Sequence, residues 1–298
     1  MRDLTDRAGP GSAWSPPASV RPHARPLRLW KGLRVRTGCL EGLDFLWLEI
    51  TRSCNLTCAH CYAGSAPSLP VIERMQFRDW CRVMDQARAV GCRSLQFIGG
   101  EPTIHPHLGR MIEHARRAGF EECEVYTNAV LLREDLLRLL RRLDVGVAVS
   151  FYSPDPEVHD GITGHPGSFE RTVEGIRRLV SRKIRLRATV ILPRDAAARF
   201  DASKRFLRKL GVRSIGSDRV RGIGRGRAFV PGASPAKELC GRCWKGKLCV
   251  DSNGKAYPCV FSRFAAVGDV MTDGVRSIVG GRELQRFRRE AYLGPEGG

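Results

Sequence analysis

Between residues 44 and 215 the chain alternates short apolar runs with amphipathic helical stretches, and no other feature limits its fold so tightly. The runs 44–50 (DFLWLEI), 94–98, 122–126, 145–151 (VGVAVSF), 185–192 and 212–215 read as strands. Helical periodicity places helices over 74–90, 106–118, 133–143, 168–182 and 200–210. Strands alternating with helices build a parallel sheet, because each helix carries the chain back to the edge where the last strand began. VGVAVSF is apolar at nearly every position, as a strand covered on both faces must be. Six strand–helix units are too few for a closed eight-unit barrel. The expected architecture is therefore α/β, a partial (β/α)6 TIM-type barrel over 41–218. In such folds the loops at the C-terminal ends of the strands carry the chemistry.

The flanks differ in character. Residues 1–40 hold Pro10, Pro16, Pro17, Pro22 and Pro26 among scattered Gly, Ser and Arg, and read as a disordered basic tail. Residues 219–238 are rich in Gly, Arg and Pro and read as a linker. A small cysteine-rich extension over 239–298 follows, with a hairpin turn at Asn253–Gly254 and a last helix over 282–291.

Eleven cysteines need a reason. The N-terminus lacks a basic-then-apolar export signal, and no window approaches the roughly 20 apolar residues of a membrane span. The expected setting is cytoplasmic, with no membrane partner. A reducing cytosol disfavours disulfides, so clustered cysteines there point to metal or redox chemistry. Seven of the eleven form two groups, Cys54/Cys58/Cys61 and Cys240/Cys243/Cys249/Cys259. Cys39, Cys81, Cys92 and Cys123 are scattered and read as small buried hydrophobes.

The formal charge of +19 invites a nucleic-acid reading. Only eight of the fifty basic residues are Lys, however, and the positive charge is spread along the chain, so charge is the single argument for nucleic acid. The basic run RVRGIGRGRA, from Arg219 to Ala228, suits either an acidic leader peptide or a plain solvated linker.

The first cysteine group has the spacing C-x3-C-x2-C on the loop after the first strand. Thiolates favour iron–sulfur clusters or zinc. A 4Fe–4S cube has four irons, so three cysteines leave one open to a small molecule bearing amino and carboxylate groups. The competing reading is a zinc site with His60 as fourth ligand, but His60 adjoins Cys61, and neighbours seldom share a tetrahedral ion without strain. In the second group, C-x2-C-x5-C precedes Cys259 by nine intervening residues. Its four thiolates can saturate one 4Fe–4S cluster or one zinc ion.

At Cys54, Cys58, Cys61 and the aromatic Tyr62, the sequence resembles the radical S-adenosylmethionine (SAM) superfamily. The resemblance extends to Gly99, Gly100, Glu101 and Pro102, the GGEP element of that family, directly after the second strand. It implies that Cys54, Cys58 and Cys61 hold a 4Fe–4S cluster, that Tyr62 lies near the adenine of S-adenosyl-L-methionine, and that GGEP holds the methionine amino group. Glycines at a strand end also let backbone approach a ligand closely. Ser150 matches a serine used near the ribose. PDPEVHDGITGHPGSFERT looks like the family's Asp-His-Asp loop, with His159 and Asp160 in place. Thr163 stands near where many relatives carry an Arg, and Arg187 is the candidate to supply that contact to the methionine carboxylate.

The run CVDSNGKAYPC is similar to the extensions called SPASM and twitch. Four cysteines rather than seven imply one auxiliary 4Fe–4S cluster on Cys240, Cys243, Cys249 and Cys259. The implied enzyme cleaves S-adenosylmethionine reductively and abstracts hydrogen from a substrate. A flavodoxin or ferredoxin would donate the electron, and the leading substrate is a ribosomally made precursor peptide. Oxidation or epimerisation of a sugar or other small natural product is the alternative, followed by RNA modification. The readings from another class are an iron–sulfur electron carrier and a zinc-bearing nucleic-acid module. No catalytic acid or base stands out; Tyr152, Asp218 and Cys123 are candidates that each have a structural reading.

Overall fold

The computed structural model describes residues 42–193, 197–243 and 245–293. The tail read over 1–40, with Cys39, lies outside the described residues. The strand–helix series opens with β1 (Phe45–Thr51), α1 (Phe77–Ala89), β2 (Ser94–Gly99), α2 (Leu108–Arg117), β3 (Glu122–Thr127), α3 (Glu134–Arg142) and β4 (Gly146–Phe151). It continues through α4 (Pro156–Thr163), α5 (Ser168–Ser181), β5 (Leu186–Leu192), α6 (Ala197–Lys209) and β6 (Ser214–Arg219). β1 to β6 are parallel and neighbour one another in chain order. Each expected strand and helix is present; β6 runs on to Arg219, past the expected end at 215.

α4 is a helix the periodicity did not indicate. Its ends carry local signals all the same. Asp155 accepts from Glu157 and Val158 backbone N–H groups at 3.0 and 3.4 Å, Pro156 occupies the first helical position, and Gly164 closes the helix at φ +66°. Eight residues are too short for a 3.6-residue period to stand out.

Side chains alternate across the sheet with period two. Leu46, Leu48, Phe97, Val125, Val147, Val149 and Val190 share one buried core with Trp80, Met84, Met111, Ile112, Leu137 and Ile176 of the helices. Burying one such side chain contributes roughly 1.5–3 kcal/mol, so this layer holds the sheet to its helices. Cys92 and Cys123 belong to it, at 0% and 1% exposure, as expected of structural thiols. The alternate positions (Trp47, Glu49, Gln96, Glu124, Tyr126, Ser150 and Arg187) turn to the other face and carry the polar chemistry.

The cysteine-rich extension continues the same sheet. β7 (Lys247–Asp251) pairs in parallel with β1, Phe45 opposite Lys247 and Trp47 opposite Cys249. β8 (Lys255–Tyr257) and β9 (Gly268–Asp269) follow antiparallel, giving the order β6-β5-β4-β3-β2-β1-β7-β8-β9. The expected hairpin turn joins β7 to β8. Asp251 Oδ1 accepts from Asn253 and Lys255 N–H at 3.0 and 2.9 Å, and Gly254 adopts φ +83°. α7 (Gly274–Gly280) and α8 (Arg282–Leu293) end the described chain, and Gln86 of α1 accepts from the Val275 N–H at 2.9 Å. No helix among the described residues is long and apolar enough to cross a membrane.

Candidate functional site

The loop that leaves β1 carries Cys54, Cys58 and Cys61, and four segments hold it. Thr57 and Ala59 N–H donate to the Thr163 and Ile162 carbonyls at the end of α4, at 3.0 and 2.8 Å. Cys54 N–H donates to Ala66 O at 3.3 Å. Past β2, Gly100 and Glu101 N–H donate to Thr51 O and Ser53 O at 2.7 and 2.9 Å. The fourth segment is the stretch read as a linker. Arg225 donates from its backbone N–H to Cys61 O at 3.0 Å, from Nε to Cys58 O at 2.9 Å and from Nη2 to Ser65 O at 2.8 Å.

Residues 219–228 are therefore docked on the cysteine loop rather than a plain solvated linker. Gly222, Ile223 and Gly226 are buried, and Arg221 pairs with Asp218 at 2.7 Å and lies 4.4 Å over the Phe261 ring. Gly224 has φ +59°, and a Cβ there would stand 2.3 Å from Tyr62 O, so the glycines serve close packing against the cysteine loop.

The three cysteines meet in one small cluster. Cys54 and Cys58 are buried with Leu56, and Cys61, Val130 and Tyr152 pack against them. Cys54 Sγ accepts from Leu56 N–H at 3.4 Å and from Asn128 Nδ2 at 3.9 Å; Cys58 Sγ lies 3.6 Å from the Tyr152 hydroxyl. Burial pushes the Cys58 thiol up to about 11, and burial with the nearby Glu101 charge pushes Cys54 higher still. Such thiols give up their protons to a bound metal, whose positive charge reverses the cost of burial.

Among the described residues no three His, Cys, Asp or Glu side chains converge as the shell of a single ion. His60, the fourth ligand of the zinc reading, instead packs edge-on against Tyr152 at 5.3 Å and Phe229 at 6.3 Å. Three thiols on one loop, with His60 engaged elsewhere, suit a cluster with one open corner.

GGEP has an internal duty. A Cβ on Gly99 would lie 2.4 Å from Thr51 O, and one on Gly100 would lie 2.0 Å from Ser53 O. The two glycines thus let the end of β2 pack directly on the start of the cysteine loop. Glu101 is fully buried. Its Oε1 accepts from Thr103 N–H, Thr103 Oγ1 and Thr127 Oγ1 at 3.1, 2.7 and 2.6 Å, and its Oε2 from Asn128 N–H at 2.8 Å. This carboxylate ties β2 to the end of β3. Pro102, also buried, starts the short 3₁₀ turn Pro102–Ile104.

Arg187 is engaged within the sheet. Its guanidinium grips Glu124 bidentately at 2.8 and 2.7 Å and Thr189 Oγ1 at 3.1 Å, and Gln96 donates to the same Glu124. This bidentate pair links β5 to β3. Ser150 lies beside Thr189 on the inner face. His159 is 1% exposed among Phe151, Tyr152 and Phe169, and Asp160 accepts from Gly167 N–H, Ser168 Oγ and Phe169 N–H at the start of α5. Both are structural here.

Tyr62 donates to Glu49 Oε1 at 3.0 Å, and its ring joins Trp47, Ile98, Tyr126, Cys249, Tyr257, Val260 and Phe261. Cys249 thus lies beside the residue that follows Cys61. Cys243, Cys249 and Cys259 are buried at 1%, 0% and 6%, while Cys240 is exposed. Cys243 Sγ donates to Cys259 Sγ at 3.5 Å; the shared proton pulls Cys259 down and drives Cys243 up. Arg263, four residues past Cys259, pairs with Glu49 and with Asp251 and stands 5.0 Å over the Tyr257 ring.

Sequence reasoning missed Glu49, Asn128, Arg225 and Arg263. Glu49 had one signal, a charge at an inward position of an otherwise apolar strand. The others depend on contacts between distant segments.

The sequence matches the family model of the radical SAM superfamily over residues 48–207 and that of an iron–sulfur cluster-binding domain, SPASM, over residues 237–295. It is 27% identical over 264 residues to the antilisterial bacteriocin subtilosin biosynthesis protein AlbA of Bacillus subtilis, covering 77% of this chain and 58% of that one. It is 33% identical over 132 residues to the AdoMet-dependent heme synthase of Methanosarcina barkeri, covering 44% of this chain and 37% of that one. The chain therefore spans less than two thirds of either relative. Streptococcus suis SuiB, solved bound to precursor peptide SuiA, superposes with a TM-score of 0.71 at 13% identity, covering 84% of this chain and 67% of that one. At that identity the likeness is one of fold.

Proposed function

This chain belongs to the radical SAM superfamily, and from that premise we propose that it modifies a ribosomally made precursor peptide, using iron–sulfur clusters and S-adenosylmethionine. The observation that carries the cofactor half is the packing of half-buried Cys61 against buried Cys54 and Cys58 on the loop that leaves β1. The substrate half leans on two relatives, one named for bacteriocin biosynthesis and one bound to a precursor peptide.

In this reading Cys54, Cys58 and Cys61 would hold the first 4Fe–4S cluster, and Cys240, Cys243, Cys249 and Cys259 a single auxiliary one. When bound, the first cluster and S-adenosylmethionine supply a 5′-deoxyadenosyl radical that takes hydrogen from an unactivated C–H bond. The chain positions and shields that chemistry. Arg225 fixes the carbonyls of the cysteine loop, Glu101 fixes the ends of β2 and β3 beside it, and Leu56, Val130 and Tyr152 keep water from the thiols. Tyr62 and Ser150 remain the candidates for the adenine and ribose. Free thiols suit the reducing cytoplasm, where a flavodoxin or ferredoxin would deliver the electron.

The match to the heme synthase favours a second reading, oxidation of a small molecule. One experiment separates them. Anaerobically reconstituted protein with dithionite and S-adenosylmethionine should form 5′-deoxyadenosine, and Cys58→Ala should abolish it. Co-expression with a short peptide encoded beside the gene should change that peptide's mass only with the intact cysteine loop. Undiminished cleavage in Cys58→Ala rules out the cofactor half, and an unmodified peptide rules out the substrate half.

A further inference from the structure

Tyr152 directly follows β4, and its hydroxyl lies 3.6 Å from Cys58 Sγ. The ring is fixed on two sides, by His60 edge-on at 5.3 Å and by His159 at 5.2 Å. His159 is itself locked between Phe151 and Phe169. The phenol thus points at the sulfur because its ring is held there.

Between a thiol and a phenol either atom can donate. A metal-bound thiolate has no proton, so the phenol is then the donor and the sulfur the acceptor. An O–H directed at a cluster sulfur favours the state with more negative charge. Reduction adds one electron to the cluster, breaks no bond and leaves the phenol proton in place, so the hydrogen bond stabilises the reduced form. Hydrogen bonds to cluster sulfurs are among the levers that set reduction potential. Cys54 has a backbone donor in Leu56, whereas this donor to Cys58 is a side chain that can be replaced.

We propose that Tyr152 raises the reduction potential of the cluster held by Cys54, Cys58 and Cys61 by donating its hydroxyl hydrogen to Cys58 Sγ. The proposal rests on the cofactor reading above, and makes Tyr152 a tuning residue that need not touch substrate.

The test is a midpoint potential, measured by dithionite titration followed by electron paramagnetic resonance, on reconstituted full-length protein without S-adenosylmethionine. Tyr152→Phe should keep its iron content yet show about tenfold less reduced cluster at a fixed potential, equivalent to a fall of about 59 mV for a one-electron couple. Replacing Tyr152 with a fluorinated tyrosine, a more acidic phenol and stronger donor, should move the midpoint upward. If Tyr152→Phe fails to take up iron, the fluorinated protein decides alone: a midpoint unchanged from wild type overturns the tuning role. Wild type that takes up no iron overturns the cofactor reading itself, whereas filled clusters whose midpoints ignore both substitutions overturn this inference only.

Discussion

The rings of Tyr62 and Phe261 meet edge-on, their centroids 5.2 Å apart and their planes at 74°. The residue after Cys61 thereby touches the residue two past Cys259, although nearly two hundred positions separate them along the chain. Arg221 covers the same Phe261 ring from the docked segment, and Arg263 reaches from the Cys259 loop to Glu49 beneath Tyr62. The two cysteine loops are therefore packed as one body.

Phe261→Ala should unlock that contact. Truncating a fully buried Phe costs roughly 3–5 kcal/mol, and this partly buried ring should cost about 2–3 kcal/mol. Urea denaturation under anaerobic conditions measures it. Phe261→Leu, which keeps most of the apolar volume, should lose less than half as much.

Arg225→Ala removes both guanidinium bonds to the Cys58 and Ser65 carbonyls. Losing an outer support of this kind typically costs about 10–100-fold in metal affinity. Iron bound through Cys54, Cys58 and Cys61 should be lost to a chelator first, while iron bound by the Cys240–Cys259 group is retained. Arg225→Lys should not rescue it, because one ammonium cannot span two carbonyls as the fork does. Iron analysis after chelation reads the result.

Arg263→Met leaves Glu49, 2% exposed, as a buried carboxylate without its cation. Breaking a buried pair from one side costs about 3–5 kcal/mol. The double variant Arg263→Met with Glu49→Gln should recover most of that loss, since no unpaired charge remains. Thermal melts of the three proteins check the order.

Two buried histidines should make the fold lose stability as the pH falls. Burial lowers His159 and His105 from an ordinary 6.5 to about 4. Between those values the unfolded chain binds protons that the native state refuses, so stability falls as pH drops from about 6.5 toward 4. Each such histidine contributes up to about 1.4 kcal/mol per pH unit inside that window. His159→Phe should flatten the dependence of the melting temperature on pH by one histidine's share, with His105 retaining its own.

Much of the architecture was legible before any coordinates. The six strands and six of the helices are written in runs long enough to show their period, and VGVAVSF reads as an inner strand. α4 escaped because its information lies in caps rather than in a stripe. Arg187 and Glu101 mark a different limit. The resemblance speaks to their types, whereas their partners in the fold, Glu124 for one and Thr127 and Asn128 for the other, come from distant segments. The Gly/Arg segment misled for the same reason: its composition suits a solvated linker as well as a strap, and only the carbonyls it meets tell the two apart.

The alternation of strand and helix, the three-thiol loop after β1 and the second cysteine group can all be read from the residues alone, because spacing and period are local and survive without a partner. Tertiary structure alone decided that β7 would join the edge of β1, that Arg225 would brace the cysteine loop, and that Tyr62 and Phe261 would bring the two groups together. Those contacts follow from burying apolar surface and satisfying carbonyls across distant segments, and neither requirement leaves a pattern within any one stretch of chain.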